Sequence, residues 1–236
     1  MVKRRAKLTN RMIEEILGIE VIEKDDSEYK SLNGIIGYYD KNDNFCFRIP
    51  LLDRAYEDCL AFAKAVYQTN QEEYERRGQS NKWLIIQQIA DGKLAEFAVW
   101  KYMKSFGYQL SMPDCNIYDE VEKSYEADLY YGIYDIHVKS ISVENARKYG
   151  QSYLFQRSDP ITMGGSQERG VLAFTLGISS NEVWFYGFYP IPLLNGILKN
   201  PRLEEMQKTK LALYFEDLSL DQLHFFLEGL GPIDNS

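Results

Sequence analysis

Polar side chains interrupt apolar segments in the middle of the sequence, and their types could support chemistry. Glu96 shares one face of a helical segment with apolar residues such as Trp100. Asp128 begins a strand-like run, and His137 and Lys139 alternate along the next one. A carboxylate on an apolar face needs a partner, because burying its charge alone is costly. These positions are therefore either ordinary boundary residues or parts of a site that combines acids, an imidazole and an ammonium group.

Each position has an ordinary structural explanation as well. Glu96 could form a boundary ion pair with Lys93 or Lys101 in the same helix. Asp128 is disfavoured within a strand but is common at a turn. Asp135 would share one strand face with His137 and Lys139. That face is either solvent-exposed or an active site.

Several common types of site are excluded by the motifs they require. Gly92-Lys93 is followed by Leu94, so a P-loop is absent, and no GxGxxG or GxSxG motif occurs. The two histidines, His137 and His224, are 87 residues apart, which excludes HExxH and two-histidine zinc sites. Three cysteines without a CxxC pair argue against a disulfide framework or a thiolate zinc site. A carboxylate pair of the glycosidase type stays open.

Hydrophobic periodicity predicts the helices and strands that must position these residues. A helix over 83–106, ended by Gly107, would carry Glu96. Further helices are predicted over 9–17, over 53–77 with Gly78 at its end, over 203–208 and over 218–229. Strands are predicted over 35–39, 45–49, 108–112, 127–131, 136–141, 152–156, 171–178 and 183–189, with Gly132 in a tight connection. This order of elements indicates an α/β or α+β fold.

The composition is typical of a soluble globular protein found inside the cell. The 236 residues are 45% hydrophobic and 14% aromatic, which excludes a disordered chain, and the length fits one large domain. A formal charge of −8 argues against binding to nucleic acid or anionic lipid through bulk charge, but it leaves a local basic cleft open. We find neither a secretory signal nor a membrane-spanning apolar run, so no membrane partner is expected.

A helix that bears an acid, followed by a strand and a hairpin with Asp on one arm and x-Lys on the other, resembles the PD-(D/E)XK nuclease superfamily. This is the fold of many restriction endonucleases. The resemblance covers about 83–156, and the segments 92–97 and 134–140 carry it most clearly. It implies one restriction endonuclease-like domain with a central mixed sheet flanked by helices. The segment 1–80 would be an N-terminal extension of helix and strands, 83–190 the nuclease core, and 200–236 a pair of acidic C-terminal helices.

The resemblance also implies an activity and a role for each site residue. The protein would be a metal-dependent endonuclease that hydrolyses DNA, of restriction or phage type, in the cytoplasm of a bacterium or a phage-infected cell. Asp128 would be the central metal ligand, Glu96 would hold a metal-bound water, and the carbonyl of Val138 would complete the metal shell. Lys139 would position or activate the attacking water and stabilise charge on the phosphate. Mg²⁺ is expected because carboxylate oxygens suit it.

One residue departs from the family pattern, and one position in that pattern has a second candidate. His137 stands where the family usually has Asp or Glu, and imidazole is a poorer ligand for Mg²⁺ than a carboxylate. His137 could act on water or the leaving group without touching metal, the site could prefer Mn²⁺, or the site could be decayed. In the last case the protein would be a non-catalytic DNA- or protein-binding member of the same fold. Asp114, in Pro113-Asp114, is a second and lower-ranked candidate for the early acid.

Residues 136–170 are locally basic, which is the only sequence sign of a phosphate-facing surface. The glycine-rich loop 163–170 either touches DNA or is a plain connection. Because one site per chain cuts one strand, cutting both strands would favour a homodimer. The basic residues that could bind nucleic acid are Arg147, Lys148, Arg157 and Arg169.

Overall fold

The computed structural model describes residues 34–39, 44–76, 79–118, 127–162, 169–225 and 227. In these ranges the α-helices are α1 (Ala55–Thr69), α2 (Gln71–Arg76), α3 (Lys82–Ser105) and α4 (Val143–Tyr149). The strands are β1 (Ile36–Tyr39), β2 (Phe45–Pro50), β3 (Leu129–Tyr131), β4 (Tyr134–Ser142), β5 (Ser152–Gln156), β6 (Gly170–Ser179), β7 (Glu182–Pro190) and β8 (Lys210–Tyr214). The predicted helix 9–17, Gly78 and most of the loop 163–170 lie outside the described residues.

A six-stranded mixed sheet forms the centre of the structure. Its strand order is β1-β2-β7-β6-β4-β3, and β4 runs parallel to β6, whereas the other neighbouring strands are antiparallel. Strands β5 and β8 pair as a separate antiparallel ribbon. The predicted mixed α/β class, in its α+β form, is confirmed.

Apolar side chains cover both faces of the central strands. Every residue of β7 is buried, and all but one residue of β6 are buried. Helices α1 and α3 pack on one face, where the ring centres of Tyr102 and Phe185 are 4.7 Å apart. The β5–β8 ribbon packs on the other face, where the ring centres of Tyr153 and Phe174 are also 4.7 Å apart. Burial on both faces explains why β6 and β7 have nearly continuous apolar runs instead of alternating ones.

Helix α3 is the element that carries Glu96, and local signals fix both of its ends. The side chain of Asn81 accepts a hydrogen bond of 3.1 Å from the N–H of Leu84, which caps the first turn. Gly107, with a φ of 89°, follows its last turn. Ala90 and Ala98 are fully buried and let the helix approach the sheet closely. The predicted helix 83–106 is confirmed. In the described part of the chain, neither α3 nor any other helix is apolar enough over a sufficient length to cross a membrane.

Strands β3 and β4 form a tight hairpin that places Asp128 at the edge of the sheet. Gly132, with a φ of 56°, lies in a two-residue turn between the paired Tyr131 and Tyr134. The N–H of Asp128 donates a hydrogen bond of 3.0 Å to the carbonyl of Ile136, so pairing continues one step beyond β3. Asp128 therefore stands at the point where the short outer strand begins.

The predicted continuous helix over 53–77 is wrong, because the chain breaks into α1 and α2 at Asn70. The side-chain amide of Asn70 donates hydrogen bonds to the carbonyl of Val66 in the helix and to the carbonyl of Tyr118 in a distant loop. Its backbone also leaves the helical region. An asparagine that bonds in this way ends a helix, and it ties α1 to the 111–118 segment.

The predicted strand 108–112 is also wrong. Ser111 bonds to Tyr130 of β3 through its N–H and through its hydroxyl, which accepts the N–H of Tyr130 at 2.9 Å. The hydroxyl takes the place that a backbone carbonyl would have in a ladder, so the segment follows β3 without joining the sheet. Its apolar–polar alternation alone could not reveal this.

The C-terminal predictions fail in the part that the structure describes. Instead of helices over 203–208 and 218–229, only short 3-10 turns form at Glu204–Met206 and Leu220–Gln222, and residues 228–229 lie outside the described ranges. Strand β8 and helix α4 were not predicted. Four of the five residues of β8 are apolar, and such a short apolar run has no periodicity that separates strand from helix. Strand β2 pairs with β7 and β1 pairs with β2, so both strands of the predicted N-terminal extension belong to the main sheet.

We predict that alanine substitutions at two glycines change stability in opposite directions. Gly187 has a φ of 116°, and a Cβ there would lie 3.0 Å from Leu223 Cγ and 3.1 Å from the carbonyl oxygen of His224. Gly187→Ala should lower the free energy of unfolding by roughly 1–3 kcal/mol. Gly92 lies inside α3 with open space around its Cβ position, so Gly92→Ala should raise that free energy by roughly 0.5–1 kcal/mol. Urea midpoints test both changes, and a Gly187→Ala midpoint at or above the parent's contradicts the first.

Candidate functional site

A cavity of about 560 Å³ lies between α1, α3, the 111–118 segment and the start of β3. Glu96 and Lys93 reach it from α3, Asp128 from the hairpin, and Asp114 from the 111–118 segment. Its wall also includes four aromatic side chains, those of Phe62, Tyr74, Tyr118 and Tyr130. Tyr118 and Tyr130 are exposed to solvent. The cavity is thus lined by three acids, one lysine and several aromatic side chains.

Glu96 is held by Lys93, one turn earlier in α3. The Lys93 Nζ lies 2.5 Å from Glu96 Oε2 and 2.6 Å from the carbonyl oxygen of Asp114. The two paired side chains are only 11% and 12% exposed, so this pair is sheltered from water. Lys101, the other ordinary partner considered for Glu96, donates instead to the carbonyl of Pro50.

The environment of Glu96 favours its protonated form. Burial, together with the negative charge of Asp128, raises the pKa of Glu96 to about 8, although Lys93 opposes both effects. Desolvation and a neighbouring like charge are the two standard causes of such a shift. The second cause also indicates that the carboxylates of Glu96 and Asp128 lie within short electrostatic range of each other.

Asp128 is oriented by the neighbouring strand. Its Oδ2 accepts a hydrogen bond of 2.7 Å from the N–H of Val138. Burial raises the pKa of Asp128, and this hydrogen bond and the positive charges of Lys139 and His137 oppose the rise. Because the N–H and C=O of one strand residue point to the same side, the carbonyl of Val138 faces the edge where Asp128 stands.

His137 and Lys139 approach Asp128 from the other face of the sheet. Alternation along β4 sends Val138 into the core beside α3 and Ile141 into the core beside β5, and the two polar residues share the second side. The Lys139 Nζ lies 4.7 Å from the ring centre of Phe155 in β5. Neither residue belongs to the wall of the cavity as the described residues define it.

His137 is a buried imidazole. Burial lowers its pKa below the ordinary value for histidine, while the negative charge of Asp128 opposes this effect and the positive charge of Lys139 adds to it. Burial therefore favours the neutral form of this imidazole.

Asp114 lies in the same cavity, but its carboxylate is engaged in a local turn. It accepts hydrogen bonds of 2.6 Å from the hydroxyl of Tyr118 and 2.9 Å from the N–H of Asn116. These bonds lower the pKa of Asp114, the tyrosine hydroxyl having the larger effect. The lower-ranked candidate for the early acid is thus close to Lys93, whose ammonium donates to its backbone carbonyl and not to its side chain.

The donor set suits a hard cation held jointly with a substrate. Within the described ranges, no three His, Cys, Asp or Glu side chains converge closely enough to hold a metal ion. Glu96, Asp128 and the carbonyl of Val138 offer oxygen atoms only, however, and Mg²⁺ is commonly bound through one or two carboxylates with water and phosphate oxygens completing its shell. The residues therefore fit Mg²⁺ or Mn²⁺ in this partial manner.

The predicted nucleic-acid contacts do not gather at the cavity. Arg157 donates to the carbonyl of Gln207 at 2.9 Å and also bonds the side chain of Asn200, so it joins two loops of the β5–β8 layer. Arg147 and Lys148 are exposed at the end of α4. Arg169 is exposed just before β6, next to the loop that lies outside the described residues.

Lys93 and the 111–118 segment are the parts of the cavity that sequence reasoning missed. Lys93 was considered only as a surface partner of Glu96, because the same i, i+3 spacing occurs on solvated helices. The segment gave a wrongly predicted strand and Asp114 as a lower-ranked candidate acid, but no sign that it packs against α1 and α3.

Comparison of this chain with protein-family models, with curated proteins and with solved structures found no match. The cavity geometry and the order of the elements that build it are therefore the observations from which a function can be argued.

We predict that Glu96→Gln flattens the pH dependence of stability. A carboxyl whose pKa is higher in the folded than in the unfolded protein binds its proton more tightly when folded. Its contribution to stability is full below the unfolded value, near 4.5, and is lost as the pH rises through about 8. One such proton gives a slope of up to about 1.4 kcal/mol per pH unit.

The measurement is the free energy of unfolding in urea between pH 5 and pH 9. The parent should lose stability across this range, and Glu96→Gln should lose less of it, with the remainder coming from Asp128. Glu57→Gln, at an exposed position in the first turn of α1, is the matched control and should keep the parent's slope. Equal slopes for the parent and Glu96→Gln contradict the prediction.

Proposed function

We propose that this protein is a metal-dependent nuclease that hydrolyses phosphodiester bonds in DNA. The observation that carries the proposal is that two largely buried carboxylates from different elements, Glu96 and Asp128, line one cavity. Two like charges in a sheltered site repel each other unless a proton or a cation lies near them. A divalent cation bound there would be available to a phosphate that enters the cavity.

The arrangement of elements supports the finer proposal of a restriction endonuclease-like fold. A long helix with an acid packs on one face of a mixed sheet, and a hairpin follows it with Asp128 before one arm and Lys139 in the other. This is the order on which the resemblance to the PD-(D/E)XK superfamily rests. Helix α4 and strand β5 follow β4 in the chain, and β6, which comes after them, runs parallel to β4.

The chain's own residues hold and orient the reacting groups. The N–H of Val138 fixes the carboxylate of Asp128, and Lys93 fixes that of Glu96. A Mg²⁺ or Mn²⁺ ion held by these carboxylates would supply positive charge to the phosphate and activate a water molecule. In the hydrolysis the water oxygen bonds to phosphorus, one ester P–O bond breaks, and the leaving oxygen takes up a proton. The proton that the attacking water loses balances this uptake.

A cut through both strands would need two such sites, so a homodimer belongs to this proposal. A cytoplasmic location in a bacterium or a phage-infected cell belongs to it as well.

A second candidate function is DNA or protein binding without catalysis. It is favoured by the ammonium of Lys93, which already neutralises Glu96, and by the histidine at a position where the family usually has an acid. Titration calorimetry separates the two functions. Binding of Mg²⁺ or Mn²⁺ that is lost in an Asp128 variant supports the nuclease, and an absence of such binding supports the decayed site.

We predict that Asp128→Asn abolishes cleavage while the fold is kept. Asparagine retains a carbonyl oxygen that can accept the N–H of Val138, so the hairpin should be preserved. It removes the negative charge that the cation requires. Cleavage of plasmid DNA with Mg²⁺ or Mn²⁺ should fall about 100-fold or more, since metal-ion catalysis contributes several kcal/mol. EDTA should stop cleavage by the parent.

The matched control is Asp135→Asn, which changes an exposed acid in the same hairpin. This variant should cleave at the parent's rate, and circular dichroism and urea unfolding verify the fold of both variants. Cleavage that survives EDTA, or an Asp128→Asn rate equal to that of Asp135→Asn, counts against a metal-dependent nuclease.

A further inference from the structure

The ammonium of Lys93 is buried in the acidic cavity. Besides its contacts of 2.5 Å to Glu96 Oε2 and 2.6 Å to the carbonyl oxygen of Asp114, the Nζ lies 5.0 Å from the ring centre of Phe62. Its positive charge also lowers the pKa of Asp128, which places it within electrostatic range of both buried acids. Only 11% of the side chain is exposed.

Such a position is costly for a lysine unless the cavity compensates it. Removing an ammonium group from water carries a large desolvation penalty, which only close partners can offset. Lys93 has such partners in the carboxylate of Glu96 and the carbonyl of Asp114, and Glu96 is one of the two acids to which the proposed function assigns a divalent cation. Lys93 therefore carries positive charge in the place where the cation would act.

The lysine also keeps a hydrogen-bond donor. An ammonium group has three N–H donors, and Glu96 and Asp114 account for two of them. Lys139, which the family pattern would make the active lysine, lies over the ring of Phe155 on the opposite face of the sheet. Of these two lysines, Lys93 is the one in the wall of the cavity.

We propose that Lys93 is the lysine that contacts the scissile phosphate, and that it serves as the internal counter-ion of Glu96 and Asp128 until a divalent cation replaces it. The inference rests on the proposed nuclease function and assigns a catalytic residue to it. With a cation beside the carboxylates, the ammonium of Lys93 would be repelled from them and its N–H donors would be available to the phosphate oxygens. Lys93 thus competes with the metal and assists the reaction.

This dual role predicts effects of opposite sign for Lys93→Met. Methionine keeps a long unbranched side chain and removes the charge. Without a competing charge a few ångströms away, Mg²⁺ should bind about tenfold more tightly or better. Without the phosphate contact, single-turnover cleavage at saturating Mg²⁺ should fall about 100-fold. A residue with a merely structural role would weaken both binding and cleavage.

The experiment compares the parent, Lys93→Met and Lys139→Met in the full-length protein. Titration calorimetry measures Mg²⁺ binding without DNA at pH 9, where protons compete little for carboxylates, and quenched-flow assays measure the cleavage of a labelled DNA duplex. Lys104→Met, at an exposed position of the same helix, is the matched control and should keep the parent's values in both measurements. Lys93→Gln, which keeps a neutral N–H donor, gives the same test if Lys93→Met fails to fold, and urea unfolding checks each variant.

The outcomes separate this inference from the function on which it rests. Tighter Mg²⁺ binding with slower cleavage in the Lys93 variants supports the inference. Unchanged cleavage by the Lys93 variants, or weaker Mg²⁺ binding together with slower cleavage, overturns it, and a large loss in Lys139→Met alone returns the role to Lys139. These results leave the nuclease intact, whereas a parent that neither binds Mg²⁺ nor cleaves DNA removes both.

Discussion

The burial of two like charges is the constraint on which the candidate site depends. Glu96 and Asp128 line the same cavity, burial raises the pKa of both, and the negative charge of Asp128 raises the pKa of Glu96 as well. The fold offsets this cost with one buried ammonium, that of Lys93, and one backbone N–H, that of Val138. Each acid thus has a single strong partner, and the remaining charge is left to a proton or a cation.

The hairpin makes this arrangement possible because its outer strand is short. The two-residue turn at Gly132 sets the register, and β3 pairs over only three residues before the chain reaches Asp128. The next pairing position on β4 then meets a side-chain carboxylate in place of a backbone carbonyl. A longer β3 would satisfy the Val138 N–H within the sheet and leave Asp128 without its orienting bond. The position of the acid and the length of the strand are therefore one structural feature.

The sequence predicted elements whose signals are local. Helix α3 is capped by an asparagine at its start and followed by a glycine at its end. Strands β6 and β7 have long apolar runs that indicate buried strands. Elements that depend on distant partners were not predicted. Asn70 ends α1 partly through the carbonyl of Tyr118, 48 residues away, and β8 is a strand because it pairs with β5. A short apolar run, or a polar residue within a helical pattern, does not predict which distant segment it will contact.

The difference between local signals and distant partners also explains which parts of the candidate site could be predicted. Alternation placed His137 and Lys139 on one side of their strand, and the structure keeps them together, but alternation does not tell which layer that side meets. It meets the β5–β8 ribbon, whereas Glu96 comes from the opposite layer. For Lys93 the sequence does not reveal burial, because its i, i+3 spacing to Glu96 is the same on a solvated helix as in a buried cavity. Only the packing of α1 and the 111–118 segment over that turn of α3 converts an ordinary surface pair into a buried charge with a consequence for the chemistry of the cavity.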